Sequence, residues 1–167
     1  ARMAARGNVI GVATEIEPVL EALVRVMNKI HGDQGISVTL KSFKAVRFRG
    51  EKQDLEEMAG NLVDNACKWA TASVKVSVNH TPGKLDEDGE RGNGTFEIIV
   101  DDDGPGLSRE QMQQATRRGK RLDETKPGSG LGLSIVTDLA EMYGGEFRLD
   151  HSPAGGLQAI LKLSSTG

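Results

Sequence analysis

Apolar residues recur along this chain with two periods, and the switches between them mark its elements. Residues 17–31 carry Val19, Leu20, Leu23, Val26, Met27 and Ile30 at helical spacing, with Pro18 in the first turn. In 37–43 and 46–49, Val38 and Leu40, then Val46 and Phe48, alternate with polar neighbours and predict a hairpin. The helical period returns over 54–70 with Leu55, Met58, Ala59, Leu62, Val63, Ala66, Cys67 and Ala70. Alternation follows in 73–80 through Val74, Val76 and Val78, and in 95–102 through Phe96, Ile98 and Val100. A short helix is expected over 108–115, where Ser108 and Gln111 have the spacing of a capping box. Gly128, Gly130 and Gly132 open another helix, whose stripe is Leu131, Ile135, Val136, Leu139, Ala140 and Tyr143, and Gly144 and Gly145 end it. Residues 146–151 and 157–164 close the chain as paired strands, with Leu157, Ala159, Leu161 and Leu163 on one face. Residues 9–16 are expected to form a short strand, 1–8 to be the remnant of a preceding segment, and 81–94 a polar hairpin loop without chemistry.

The polar positions inside this frame carry the candidate chemistry. Glu57, Asn61, Asn65 and Lys68 follow one another at steps of four, four and three, so they form one row on the 54–70 helix. A carboxamide offers oxygen to a hard cation and N–H to a phosphate, and a lysine adds positive charge. Taken alone, an amphipathic helix with a solvated polar face is the better account of the row. Period two puts Asp102 on the inward face of its strand, a costly place for a carboxylate unless donors meet it. Asp103, Gly104, Pro105, Gly106 and Leu107 then make a sharp turn. The stretch 116–128 lacks apolar periodicity but holds Arg117, Arg118, Lys120, Arg121 and Lys126, the composition of a solvated loop or of a lid over phosphates. Glycines leading into a helix start expose backbone N–H groups to an anion. No Gly-Lys-Ser/Thr follows them and no strand immediately precedes them, so neither a Walker A loop nor a dinucleotide fingerprint is present.

Composition narrows the class. A chain of 167 residues, 37% hydrophobic and 27% charged, suits one soluble domain, and it contains no membrane-length apolar run and no signal-peptide pattern. A net charge of −3 lends nothing to nucleic-acid binding. The single cysteine, Cys67, excludes an internal disulfide and lies on an apolar helix face, as expected for a buried thiol in a reducing compartment. Glycine is in excess at 21, clustered in 104–106, 128–132, 144–145 and 155–156.

In order, the chain presents an Asn-rich helix, a strand ending in DxGxG, a basic loop and a GxGxG helix start. From about Val9 onward this series resembles the catalytic, ATP-binding domain of bacterial sensor histidine kinases. That branch belongs with gyrase B, Hsp90 and MutL among the GHKL ATPases. NLVDNACKWA is similar to the family's N box, DDDGPGLS to its G1 box and GSGLGLSIV to its G2 box, while RRGKRLDETKPG is similar to the lid of PhoQ-like kinases. The resemblance implies a two-layer α/β sandwich of Bergerat type, a mixed sheet with three main helices on one face. Residues 9–167 would be one catalytic domain.

The resemblance also implies roles. Asn65 would hold magnesium, with Asn61 orienting it or the phosphates, and Lys68 would neutralise phosphate charge. Trp69 would lie beside the nucleoside. Asp102 would accept the adenine exocyclic N–H, with Gly104, Gly106 and Leu107 letting backbone approach the base. Gly128, Gly130, Leu131, Gly132 and Leu133 would form the phosphate-facing turn, and Arg121 and Lys126 would reach the triphosphate from the lid. Two departures stand out. Ala115 and Thr116 occupy the place of the family's F-box phenylalanine, and no phosphoacceptor motif is present, since His31, His80 and His151 sit in HGD, NHT and DHS contexts typical of surface or strand-end histidines.

Three activities are compatible with that family. The first is transfer of the ATP γ-phosphoryl group to a histidine on a separate dimerisation domain, with a response regulator beyond it. The domain would then be cytoplasmic, monomeric when isolated, free of membrane contact and inactive in autophosphorylation without its acceptor. The second is ATP hydrolysis driving conformational change, which in the family uses a glutamate one turn before the magnesium asparagine. Here that residue is Asn61, and an amide cannot act as a base. The third is a nucleotide-binding regulatory module without transfer.

Overall fold

The computed structural model describes residues 11–116 and 132–167. Within them a seven-stranded mixed sheet carries its helices on one face. The strands are β1 (Thr14–Glu15), β2 (Ser37–Leu40), β3 (Arg47–Phe48), β4 (Ser73–Thr81), β5 (Gly94–Asp102), β6 (Glu146–His151) and β7 (Leu157–Ser165). The helices are α1 (Ile16–His31), α2 (Lys52–Trp69), the short α3 (Arg109–Ala115) and α4 (Gly132–Met142).

Sheet order is β1-β3-β7-β5-β4-β2, with β6 also paired to β7. β4 and β5 form an antiparallel hairpin from Thr81↔Thr95 to Val74↔Asp102, and β5 runs against β7 from Gly94↔Ser165 to Asp101↔Gln158. The other edge of β7 is shared. β6 occupies Leu157 to Lys162, and β3 meets Ser165. The hairpin expected from 37–49 does not form. β2 pairs instead with β4, in parallel, from Ser37↔Ser73 to Leu40↔Val76, and β3 joins β1 and β7. The reason is the intervening helix: α2 lies between β2 and β4 in sequence and packs over the sheet, the crossover that a parallel pair requires. Val46 is buried, and its carbonyl accepts from Ile16 N at 3.1 Å, which holds the connection against α1 rather than beside β2.

Alternation along β4, β5 and β7 sends Val74, Val76, Phe96, Ile98, Val100, Ala159, Leu161 and Leu163 under the helices. α2 is the centre of that layer and buries Leu55, Met58, Ala59, Leu62, Val63, Ala66 and Cys67. Each large side chain so removed from water contributes about 1.5–3 kcal/mol, so Leu55, Met58 and Leu62 dominate the attachment of α2. Phe48 adds ring contacts to Phe96 at 6.1 Å and to Tyr143 at 5.0 Å.

Both ends of α2 are fastened. At its N-terminus the Tyr143 hydroxyl donates to Asp54 Oδ2 and accepts from Glu51 N at 3.4 Å. Beyond its C-terminus, Asp103 Oδ1 accepts from the N–H groups of Thr71, Ala72 and Ser73 at 2.9, 3.0 and 3.1 Å. The expected capping box on α3 is present, with Ser108 and Gln111 bonded reciprocally at 3.1 and 2.9 Å. No helix among the described residues is long and apolar enough to cross a membrane.

Candidate functional site

The end of β5 and the end of α2 meet. Asp102 is 1% exposed, inward with Phe96, Ile98 and Val100. Its Oδ1 accepts from Gly104 N at 2.9 Å and from Leu157 N at 3.2 Å. Its Oδ2 receives no hydrogen bond among the described residues. Burial pushes the carboxyl above the usual aspartate range, the charges of Asp103 and Asp101 push the same way, and the two backbone donors only partly oppose them. One oxygen is thus anchored by backbone while the other keeps its acceptor capacity.

Three glycines make this anchoring possible. A Cβ on Gly104 would overlap the backbone carbonyl of Trp69, the last residue of α2. Gly106 has φ +73, and a Cβ there would also sit 3.3 Å from the Gly156 carbonyl oxygen. Gly156, in the turn between β6 and β7, approaches Asp102 so closely that a Cβ would overlap Oδ1 and lie 2.7 Å from Gly104 N. Asp102 is therefore walled by three backbone segments: the end of α2, the turn after β5 and the β6–β7 turn.

About two helical turns back along α2 the site changes character. Asn61 Nδ2 donates to the Glu57 carbonyl at 2.7 Å. Its Oδ1 faces the start of α4, where a Cβ on Gly132 would sit 3.0 Å away. The Asn-bearing row and the glycine helix start, 71 residues apart by subtraction of 61 from 132, are thus brought face to face. Asn65 is partly exposed on the same row and makes no side-chain hydrogen bond among the described residues. Lys68 Nζ lies 2.9 Å from Asp64 Oδ2. Asp64 Oδ1 lies 2.9 Å from His31 Nε2.

The structure therefore gathers Asn61, Asn65, Lys68, Trp69, Asp102, Gly104, Gly106 and Gly132 along α2 and its two neighbouring turns. Leu107 is half-buried against the core and Leu133 lies within it, so the Leu133 side chain is committed to packing. Arg121, Lys126, Gly128, Gly130 and Leu131 lie outside the described residues, as do 1–8 and the beginning of the strand expected over 9–16. His80 and His151 are exposed, as expected, but His31 is not: the last turn of α1 packs against α2 and buries it. Two contributors had weaker signals in the sequence. Gly156 belongs to a clustered glycine pair that reads as a turn or a close backbone approach but names no partner, and Asp103 reads as part of an acidic turn although three backbone N–H groups hold its carboxyl below the usual range, Ala72 most strongly.

A seven-stranded mixed sheet under a helical layer, with a buried carboxylate beside an Asn-bearing helix and a glycine helix start, defines a nucleotide-site architecture of the GHKL type. The family model described as Histidine kinase-, DNA gyrase B-, and HSP90-like ATPase matches residues 50–167, and the chain belongs to that family. Sensor protein kinase CarS of Pseudomonas aeruginosa is 40% identical over 144 residues, covering 86% of this chain and 30% of that protein. Sensor protein PhoQ of Escherichia coli K12 is 32% identical over 141 residues, covering 84% of this chain and 27% of that protein. The chain thus spans less than a third of the length of these curated relatives. Among solved structures, the ATP binding domain of PrrB from Mycobacterium tuberculosis superposes with a TM-score of 0.73 at 24% identity, over 93% of this chain and 98% of that one. That likeness establishes the shared fold.

Proposed function

We propose that residues 9–167 form the catalytic domain of a two-component sensor kinase, which binds Mg-ATP and passes the γ-phosphoryl group to a histidine on a separate dimerisation domain. The observation that carries this reading is Asp102, buried at the end of an apolar strand with one oxygen fixed by two backbone amides. A carboxylate so placed accepts the exocyclic N–H of adenine and finds a carbonyl, not a donor, at the matching edge of guanine.

The phosphate end follows from α2. The Asn65 amide oxygen accepts no hydrogen bond among the described residues. A neutral amide oxygen suits magnesium, a hard cation that keeps most of its coordination for phosphate oxygens and water. When bound there, held by Asn65, magnesium would neutralise phosphate charge during transfer. Asn61 faces the α4 start, where backbone N–H groups meet phosphate, and Lys68 adds a cation. Arg121 and Lys126 are assigned to the lid. In transfer, an acceptor imidazole nitrogen forms the new bond to phosphorus as the bond to the β-phosphate oxygen of the departing ADP breaks. This chain contributes binding, alignment and charge. A response regulator is served through the acceptor domain, and the domain works in the cytoplasm. Hydrolysis is the poorer reading, because Asn61 stands where a water-activating carboxylate is wanted and its amide is bonded to the Glu57 carbonyl.

The test pairs calorimetry with phosphotransfer. The domain should bind Mg-ATP in preference to Mg-GTP, hydrolyse it slowly alone, and label a cognate acceptor domain when one is added. Asp102→Asn should cost at least tenfold in ATP affinity, as expected when a buried acceptor is converted toward a donor. Unchanged ATP affinity in that variant, or brisk hydrolysis without acceptor, overturns the reading.

A further inference from the structure

His31 ends α1 and is 6% exposed, the only histidine among the described residues that is buried. Its Nε2 meets Asp64 Oδ1 at 2.9 Å, while Asp64 Oδ2 meets Lys68 Nζ at 2.9 Å. One carboxylate is therefore divided between an imidazole from α1 and an ammonium one turn further along α2. Burial alone would raise the Asp64 pKa, but the hydrogen bonds from Lys68 and His31 outweigh it and hold the carboxyl below the usual range, so Asp64 remains an anion. The His31 side chain is 8% exposed, against 34% for Asp64 and 27% for Lys68. The imidazole thus backs a part-exposed pair from the interior, and Lys68 stands on the helical row that carries Asn61 and Asn65.

We propose that His31 and Asp64 are positioning residues for Lys68, and that the charge on His31 sets how much of the Lys68 charge is available to a bound triphosphate. The inference rests on the nucleotide reading of the candidate site. With a neutral imidazole, Asp64 and Lys68 cancel and the cluster has no net charge. With an imidazolium, Asp64 is compensated from behind, the cluster carries one positive charge, and Lys68 can leave its partner for a phosphate oxygen at smaller cost.

Three parts of the fold surround His31: α2, β2 and its own end of α1. From α2 it is faced by Asp64 and Lys68, with Cys67 beside them, whose thiol burial pushes up to about 11 and keeps neutral. β2, also packed on α1, carries no titratable residue. Lys29 and Asp33, on its own turn and the next, are exposed and screened by solvent. Imidazole is the side chain whose charge changes near neutrality. Linkage then fixes the sign: if the protonated form binds the triphosphate more tightly, binding raises the His31 pKa and takes up protons.

The experiment measures dissociation constants of Mg-ATP, Mg-ADP and adenosine from about pH 6 to pH 8, the imidazole range, for the wild-type domain and His31→Gln. Taking the ratio between proteins at each pH cancels the ligand's own titration. The wild type should gain on the order of threefold to tenfold over His31→Gln for the phosphorylated ligands as pH falls, the scale of a partly exposed ion pair. Adenosine, with no phosphate, should show no gain. In a Lys68→Met background the gain should vanish. Independently of any variant's folding, the midpoint of the wild-type His31 imidazole NMR titration should rise when Mg-ADP is bound. A flat ratio or an unmoved midpoint, with adenosine still bound, overturns this inference alone. Failure of adenosine and ATP to bind at any pH overturns the nucleotide reading and this inference with it.

Discussion

The two ends of the candidate site are built from different materials. Around Asp102 the walls are backbone: amides of Gly104 and Leu157, the carbonyl of Trp69 and the close approach of Gly156. Around Asn61, Asn65 and Lys68 they are side chains on one helical row, with Lys68 already holding a partner. A backbone pocket is formed before the ligand arrives and discriminates shape and hydrogen-bonding edge. A side-chain row can readjust and supplies charge. On the proposed reading the division matches what a base and a triphosphate each require, and it sets the order in which substitutions should hurt.

Gly156→Ala should have the largest effect. The added methyl would overlap Asp102 Oδ1 and crowd Gly104 N, neither of which is the free end of a flexible side chain. Overpacking of this kind costs about 1–3 kcal/mol, and displacing the carboxylate should cost adenosine at least tenfold in affinity. Denaturant unfolding and adenosine calorimetry check the two together. Full retention of adenosine affinity would show that the β6–β7 turn is no wall of the base pocket.

Adjacent carboxylates sharpen the comparison within the base end. Asp102 is pushed up by burial, whereas Asp103 is pulled down by the amides of Ala72, Ser73 and Thr71 that tie α2 to β4. The stabilisation from Asp103 is present above its unfolded-state pKa and is lost as pH falls through its lower folded value. For Asp102 the sign reverses: its contribution is present below the unfolded value and is lost as pH rises through the higher folded one. Asp103→Ala should therefore cost about 1–2 kcal/mol near neutrality, toward the lower end because the residue is partly exposed, and progressively less in acid. Asp102→Asn should show its stability cost growing as pH falls. Parallel pH profiles for the two variants would contradict the opposed environments.

Much of this arrangement can be read from the sequence, and the rest fails for identifiable reasons. Period and caps are local properties, so α2, the β4–β5 hairpin and the α3 capping box are visible in the residues alone. Alternation says which face of a strand is buried but not which strand lies beside it. The 37–49 segment therefore reads as a hairpin until the α2 crossover forces β2 alongside β4. Asp102 is legible because period two carries it inward with Phe96, Ile98 and Val100. Gly156 is not, because its demand for a missing Cβ comes from a residue 54 positions earlier, 156 less 102. His31 is hidden for a similar reason: its partner Asp64 belongs to another helix, and only the packing of α1 on α2 turns a helix-end histidine into an interior one.

Asn61→Ala should have the smallest effect on the fold, and it tests whether the two ends of the candidate site are separable. The Asn61 amide spends its N–H on the Glu57 carbonyl, a bond back to the preceding turn that adds little to a helix, and alanine is the stronger helix former. Stability should change by no more than about 0.5 kcal/mol. What is lost is Oδ1, which faces Gly132 at the start of α4. Removing it should loosen the alignment of that start with α2 and with the phosphates. Mg-ATP and Mg-ADP should bind severalfold more weakly, while adenosine, held by Asp102 and the backbone walls, should bind as it does to the wild type. Matched calorimetric titrations with the three ligands decide the matter, and an equal loss for adenosine would mean that base and phosphate ends are one mechanical unit.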